Sequence, residues 1–138
     1  MNYYSVLYVS KSALSTESDY DIVQQIAKAS AQANSLIGLT GALIFTGTHF
    51  VQILEGDRAE IDRLLTVIER DTRHTEMRIV ERKSIAKRRF STWSMAYMGP
   101  SRFVSRHVQL LLDQATGSRG WRASEWISDL MVEFVKAA

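Results

Sequence analysis

Two stretches of the chain alternate in a way that makes both faces of a β-sheet apolar. Val6 and Tyr8 point to one face of the first stretch while Leu7 and Val9 point to the other, because neighbouring side chains on a strand alternate. Residues 49–55 repeat this two-sided apolar pattern. An apolar sheet face needs a cover that keeps water away from it. The chain is therefore expected to fold as a sheet between two covering layers.

Strand and helix patterns alternate along the rest of the chain. The predicted strands are 3–10, 38–46, 49–55, 77–84 and 92–98, and the predicted helices are one ending at Asn34, then 58–71, 103–115 and 123–135. The first seven elements thus run strand, helix, strand, strand, helix, strand, strand. This order predicts an α+β fold with a ferredoxin-like five-stranded sheet. Two helices would cover one face, and the two C-terminal helices would cover the other.

Local signals support these assignments. Ser18 or Asp19 can cap the first helix, Gly47-Thr48 fits a two-residue hairpin turn, and Asp57 can cap the second helix. Apolar residues recur at helical spacing and predict the inward faces of both helices. These stripes are Ile22, Ile26, Ala29 and Ala33 in the first helix and Ile61, Leu64, Leu65 and Ile68 in the second.

Length and composition set outer limits. The chain has 138 residues, of which 46% are apolar, no cysteine and a net charge of +2. We expect one domain over 1–98 and an appended helical segment over 99–138. Without cysteine there is no disulfide framework, and the three histidines lack metal-ligand spacing, so no metal is predicted. The start of the sequence resembles neither a signal peptide nor a membrane anchor, and a cytoplasmic location is predicted.

Gln52 is the least expected residue in the predicted core. It shares a strand face with Phe50 and Leu54, both apolar. A buried amide without a partner costs about 1–3 kcal/mol, so Gln52 must find one. Tyr8 lies on the corresponding face of the first strand and can supply it. Taken alone, this pair also fits a core glutamine bonded to a core tyrosine, and Asn34 alone also fits a helix terminator.

A wider pattern surrounds this pair and runs from Tyr8 to about Met98. It comprises Tyr8, Asn34, Leu39-Thr40-Gly41, Phe50, Gln52, Leu54-Glu55-Gly56, Asp71, Arg73-His74, Trp93 and Met95. In order and near-matching spacing, this combination resembles the BLUF family of flavin-based blue-light sensors.

The resemblance implies a cofactor and a set of residues that hold it. The cofactor would be FAD, with FMN or riboflavin as alternatives. Ile26 and Ile68 would clamp the two faces of the flavin ring, and Asn34 would bond O4 and N3–H. Gln52 would bond the N5/O4 corner and Tyr8. Arg73, held by Asp71, would lie near O2, with His74 beside it in the cofactor site. For Asp71 and Arg73 a local surface salt bridge is the alternative.

The resemblance also implies a photoswitch. Light-driven transfer of an electron and a proton from Tyr8 would let the Gln52 amide rotate or tautomerise and settle in a new hydrogen-bond network. Trp93 and Met95 match the switching strand, where either can lie beside Gln52, and plain core packing is the alternative for both. The phosphate tail has no clear site, because Lys28 fits a solvated helix face better, and 87–89 fits a solvated turn.

The predicted function is a blue-light receptor with no enzymatic activity that signals through protein–protein contacts. A homo-oligomer, dimer or larger, and an unidentified downstream protein are the expected partners, with no nucleic acid and no membrane. In the final helix, Trp126, Leu130 and Phe134 are expected to contact either the sheet or a second subunit. The alternative functions are an RNA-binding module that stacks bases on the sheet, a hydrolase of acylphosphatase type, and a BLUF relic that no longer switches.

Overall fold

The computed structural model describes residues 3–14, 20–98, 106, 108–109 and 118–137. Its elements are β1 (Tyr3–Ser12), α1 (Tyr20–Leu36), β2 (Thr40–Phe45), β3 (His49–Gly56), α2 (Arg58–Glu69), β4 (His74–Ile85), β5 (Trp93–Met98) and α3 (Ser118–Ala137). The predicted α+β class and the order of the first seven elements are confirmed. The predicted helix 103–115 and the proposed caps Ser18 and Asp19 lie largely outside the described residues.

The strands form one sheet in the order β4-β1-β3-β2-β5. Strands β4, β1, β3 and β2 pair antiparallel in that order, and β5 runs parallel to β2. Turn and cap signals hold where they are described. Gly47 has φ 93° between β2 and β3, and the Asp57 side chain accepts a hydrogen bond from the Glu60 backbone N–H at the start of α2.

One core lies between the sheet and the pair α1 and α2. Its members from the sheet include Val6, Tyr8, Phe50 and Leu54, as the alternation predicts. The helices contribute one buried face each, with the buried residues Val23, Ala27, Ile61 and Leu65. The predicted stripe of α2 is therefore confirmed.

The predicted stripe of α1 holds at Ile26, which is half-buried and lines the cavity described below, and is wrong at its other three positions. Ile22, Ala29 and Ala33 are exposed, whereas Val23 and Ala27 are buried. Both registers place an apolar residue every three or four positions, so helical spacing alone does not separate them. Packing against the sheet selects the register that also buries Asn34.

A second core covers the opposite face of the sheet. Leu7, Val9, Val51 and Ile53 pack there with residues that lie outside the sheet. These are Phe90, Val108, Ile127 and Met131. In α3 the buried contacts are thus Ile127 and Met131, while Trp126 and Leu130 are half-buried and the Phe134 side chain is not described. An RNA-binding module would need this face open for base stacking, and here helix α3 packs on it.

Both edges of the sheet are irregular. On one edge, the register between β1 and β4 shifts between Leu7 and Tyr8 and again between Val9 and Lys11. Glu76, near the second shift, has φ 53°, which is unusual for a residue other than glycine. Such shifts mark β-bulges, which bend a strand and increase its twist.

The other edge carries a bulge in β5. Met95 aligns with Leu43, but Tyr97 aligns with Ile44 and Met98 with Phe45, so one extra residue lies on β5. Residues beyond the bulge therefore change their register relative to β2.

Gly41 allows β2 and β3 to approach each other closely. Its φ is 151°, and a Cβ built there would lie 1.9 Å from the carbonyl oxygen of Ile53. No side chain fits in that distance, so the residue at this position must be glycine. Trp93 is the residue that aligns with Gly41 on β5, which places this contact beside the start of that strand.

We predict that Gly41→Ala will lower the free energy of unfolding by at least about 3 kcal/mol, because backbone strain and a steric clash act together. Gly47→Ala is the matched control. Its φ is also positive, but a Cβ there would meet nothing within 4 Å, so only about 1–2 kcal/mol of strain is expected. Urea titrations of both variants measure the difference. Equal losses would contradict the close approach.

Candidate functional site

A cavity opens between α1, α2 and the sheet. Its volume is about 570 Å³ with the open mouth included. The lining residues are Tyr8, Ile26, Ser30, Asn34, Leu43, Phe50, Gln52, Leu64, Ile68, Asp71, Arg73, His74 and Trp93. Every binding residue predicted from the sequence therefore lies at one cavity. Met95 is not among the lining residues, and its side chain is not described.

Three side chains form a hydrogen-bonded chain in the cavity floor. Tyr8 and Gln52 are directly opposite each other on β1 and β3, and Gln52 Nε2 donates to the Tyr8 hydroxyl at 2.5 Å. Trp93 Nε1 donates to Gln52 Oε1 at 2.7 Å. All three residues are buried. The amide is therefore held at both ends, by the phenol on one side and by the indole on the other.

The indole fixes the orientation of the Gln52 amide. An indole N–H can only donate, so the atom that faces Trp93 must be the amide oxygen. The amide nitrogen then faces Tyr8, whose hydroxyl oxygen accepts. The amide nitrogen has two N–H donors and Tyr8 uses one, so the second is available to a ligand acceptor.

Tyr8 is held in its neutral form. Burial raises the pKa of the Tyr8 phenol well above its usual range, the hydrogen bond from Gln52 lowers it in part, and the negative charge of Asp71 raises it further. Desolvation dominates because a buried phenolate loses its hydration without gaining a cation. Tyr8 therefore keeps its proton beside the amide at physiological pH.

Asn34 forms part of the cavity wall, and another residue ends α1. The helix continues to Leu36, and Gly38, with φ 71°, follows its end in the left-handed conformation that commonly terminates helices. The alternative of Asn34 as a helix terminator is therefore wrong. Its backbone carbonyl accepts from the N–H groups of Ile37 and Leu39, and the residue is 2% exposed.

Polar side chains form one side of the cavity. Arg73 donates from its Nε and Nη2 atoms to the two carboxylate oxygens of Asp71, and its backbone N–H donates to Asp71 Oδ1 at 2.9 Å. These bonds lower the pKa of Asp71 to about 2, with the side-chain bond from Arg73 as the largest cause. His74 Nε2 lies 2.5 Å from the carbonyl oxygen of Ile68, near the end of α2.

Four lining residues were not assigned to the site from sequence. They are Ser30, Leu43, Phe50 and Leu64. A signal existed for Ser30, which is one helical turn after Ile26 and one turn before Asn34. Phe50 shares the strand face of Gln52, and Leu64 belongs to the predicted stripe of α2. The signal for Leu43 appears only once the strands are paired, because it is directly opposite Gln52 on β2.

The lining fits a flat ring with apolar faces and a polar edge. Apolar side chains come from both helices and from the sheet. The polar groups at the same cavity include two primary amides, which both donate and accept, and one guanidinium, which only donates. A flavin ring offers carbonyl oxygens, a ring N–H and an unprotonated ring nitrogen along its edge, so this donor and acceptor set matches it.

Two further observations bear on the class of site. Within the described ranges, no three His, Cys, Asp or Glu side chains are placed so that they could hold a metal ion. Among the helices described, none combines the length and the apolar character needed to cross a membrane.

Solved structures resemble the whole described fold. BlrB, a BLUF protein in its dark state, is 29% identical, with a TM-score of 0.70 over 98% of this chain and 97% of that chain. BlsA in its photo-activated state has a TM-score of 0.73 over 96% of this chain and 95% of that chain. At 21% identity, the likeness to BlsA supports the fold alone.

A curated relative matches about two thirds of the chain. The photoactivated adenylate cyclase subunit beta of Euglena longa is 27% identical over 90 residues, which are 65% of this chain and 10% of that protein. The chain thus spans about a tenth of the length of this relative.

The family comparison covers every residue that lines the cavity. The model of the BLUF family, described as sensors of blue-light using FAD, matches residues 3–96. This range includes β1 to β4 and reaches into β5, and it is more than half of the chain. The chain therefore belongs to the BLUF family of blue-light sensors, whose cofactor is FAD.

Proposed function

We propose that this protein is a blue-light receptor that holds FAD in the cavity and switches through Tyr8 and Gln52. The observation that carries the proposal is the buried chain from Tyr8 through Gln52 to Trp93, which lies in the wall of the cavity. An amide held between two side chains at a ligand cavity is more than a satisfied core residue. It can pass a change at the ligand to both neighbours at once.

The proposed binding roles follow the cavity wall. Ile26 from α1 and Ile68 from α2 cover the faces of the ring, and the Asn34 amide pairs with a carbonyl and a ring N–H at its edge. Arg73, oriented by Asp71, supplies a positive charge toward a ring carbonyl. His74, tied to the end of α2, completes this side of the site. FMN or riboflavin would make the same ring contacts.

Bound FAD supplies the absorption of blue light and, when excited, an acceptor for an electron and a proton. Tyr8 is suited to provide both, because burial keeps its phenol protonated and an unpaired buried charge would be costly. The Gln52 amide contacts Tyr8 directly, so it responds when the charge or the proton on the phenol changes.

Rotation of the Gln52 amide would reverse its hydrogen bonds. The amide oxygen would then accept from the Tyr8 hydroxyl, and the amide nitrogen would face the indole N–H of Trp93. Two donors would face each other, which is unfavourable in a buried site. Trp93 must therefore shift when the amide rotates, and a change in one side chain becomes a movement at the start of β5. Tautomerisation of the amide would reverse the same pattern.

Output through protein contacts is the second part of the proposal. Residues 99–138 are proposed to form a helical cap and output segment. The reason is that α3 packs on β5, the strand that carries Trp93, and on the neighbouring strand β2. A homo-oligomer and a separate downstream protein are the proposed partners. The cytoplasmic location stays a prediction.

The switch can be tested with variants that keep the cavity walls. We predict that wild-type protein with FAD will show a small red shift of its flavin spectrum under blue light and recover in darkness. Tyr8→Phe and Gln52→Leu should each keep bound flavin and lose the shift, because the exchange of hydrogen bonds can no longer occur. Tyr4→Phe, on the same strand but outside the cavity lining, should behave as wild type. A normal shift in either Tyr8→Phe or Gln52→Leu would refute the switch.

Flavin binding can be tested separately at Asn34. Asn34→Ala removes the amide and leaves polar groups of the buried ring edge without a partner. The binding free energy of FAD should weaken by about 1–3 kcal/mol, which raises the Kd by about 5- to 150-fold. Ser35→Ala, at an exposed neighbouring position of α1, is the matched control and should leave the Kd unchanged. Equal affinity of the two variants would remove Asn34 from the site.

The protonation of Tyr8 can be followed by titration. A tyrosine in an unfolded chain ionises at about pH 10, whereas Tyr8 in the folded protein keeps its proton to higher pH. Above about pH 10 the unfolded chain therefore binds fewer protons than the folded one, and stability should fall as the pH rises. We predict that at about pH 11 wild type and Tyr8→Phe have the same phenolate absorbance while folded. In urea they should differ by one phenolate, and the same difference in the folded state would contradict the buried phenol.

A further inference from the structure

We propose that Glu55 is a positioning residue for Trp93. It anchors the segment before β5, so that the indole of Trp93 reaches the amide of Gln52 and the dark arrangement is held. The inference goes beyond the proposed photoswitch and rests on it in one respect, because the switch gives the contact between Trp93 and Gln52 its role in signalling.

The carboxylate of Glu55 is buried completely, and both of its oxygens accept hydrogen bonds. Its Oε1 accepts from the backbone N–H groups of Arg89 and Phe90, at 2.7 and 3.1 Å. Its Oε2 accepts from Nε of Arg89 at 2.9 Å. A buried carboxylate needs such partners, and charge-assisted bonds to it are short and directional. The turn at 89–90 is therefore fixed to the end of β3.

The two arginines of this turn add further ties to the sheet. Arg89 also donates to the hydroxyl of Ser5 on β1, at 2.9 Å. Arg88 donates to the hydroxyl of Thr40 and to the backbone carbonyls of Glu55 and Gly38, at 2.9 to 3.0 Å. The prediction that 87–89 is a solvated turn is therefore wrong for both arginines. Together they bind the segment to β1, β2 and β3.

Two more contacts continue the anchor toward Trp93. Phe90 is buried in the core on the α3 side of the sheet. The carbonyl of Thr92 accepts from the backbone N–H of Gly41 at 3.1 Å. Three residues span at most about 11 Å, so the anchors at Phe90 and Thr92 leave Trp93 little freedom. Its indole then enters the opposite core, where the cavity lies.

The anchor and the hydrogen-bond partner of Trp93 belong to the same strand. Gln52 and Glu55 are three residues apart on β3, a distance of about 10 Å along the strand. Gln52 faces the cavity, and Glu55 faces the other side of the sheet, beside its cross-strand neighbour Ser5. One rigid strand therefore sets the positions of both the anchor, Glu55, and the hydrogen-bond partner of Trp93, Gln52. The segment 88–93 joins the two cores and passes beside α3 before it reaches the cavity.

An apolar residue at position 55 could not fix the backbone of Arg89 and Phe90 in this way. A buried ion pair contributes little net stability compared with good apolar packing, because both charges must be desolvated. What the carboxylate adds is direction, since its bonds define where the backbone of Arg89 and Phe90 must lie. This is the reason to assign Glu55 a role in positioning.

Glu55→Gln tests the inference with little change in volume. The amide keeps one acceptor oxygen but places an N–H₂ group toward the Arg89 side chain, so the anchor is weakened. In the full chain with FAD bound and in darkness, we expect hydrogen exchange at the Trp93 indole N–H to become at least about tenfold faster. Exchange at Trp121 and Trp126 should stay unchanged. Nitrogen-labelled tryptophan and NMR measure all three, and Trp93→Phe assigns the signal.

Controls separate positioning from general loss of stability. Glu60→Gln removes the exposed pair between Glu60 and Arg63 and should leave Trp93 exchange as in wild type. Ile61→Val destabilises the core beneath α2 without touching the anchor. Compared with Glu55→Gln at the same melting temperature, it shows how much lower stability alone accelerates exchange at Trp93. If Glu55→Gln does not fold, Arg89→Lys keeps the charge, loses the forked geometry, and should show the same direction of change.

The outcomes are distinct. Trp93 exchange within about twofold of wild type in Glu55→Gln or in Arg89→Lys would overturn the inference. The inference would also be overturned if Ile61→Val, at the same melting temperature as Glu55→Gln, accelerated Trp93 exchange equally. The wild-type sample is also illuminated. A missing spectral shift there would refute the proposed function, while faster exchange in the variant would still support Glu55 as the residue that positions Trp93.

Discussion

The structure depends on the complete burial of strand β3. From Phe50 to Gly56 no residue of this strand is exposed, because one core lies on each of its faces. Two polar side chains nevertheless lie on it, and burial obliges each to find partners. Gln52 meets this demand with an amide, whose two ends differ and can be exchanged. Glu55 meets it with a carboxylate, which can only accept and therefore stays in place. The central strand thus carries one group that can change its bonds and one that holds its neighbours.

Alternation along the strands was enough to predict the relation between Tyr8 and Gln52. Neighbouring side chains on a strand must point to opposite faces, so both cores and the face shared by these two residues could be predicted before the strands were paired. The need for a cover on the second face also followed from the sequence, and α3 supplies it. The family was predicted from the order and spacing of residues around this pair, and the match over 3–96 confirms it.

What could not be predicted depends on contacts between distant parts of the chain. The register of α1 had two nearly equal solutions, and packing on the sheet decided between them. Arg88 and Arg89 looked like solvated charges because their partners, Thr40 and Glu55, are far away in sequence. The bulge in β5 has no signal of its own, since it appears only as a shift of register against β2. The choice between Trp93 and Met95 beside Gln52 likewise required the position of β5, which places the Trp93 indole there.

The irregular edges of the sheet limit how copies of this protein can associate. A regular edge strand exposes a straight row of N–H and C=O groups on which another strand can grow, and bulges interrupt that row. Here β4 changes register twice against β1, and β5 changes register once against β2. Charged side chains such as Arg78 and Lys83 also lie along β4. Neither edge is a suitable template for extending the sheet from one molecule to the next. Pairing of copies edge to edge is therefore disfavoured while the fold is intact, and so is growth into a cross-β fibre.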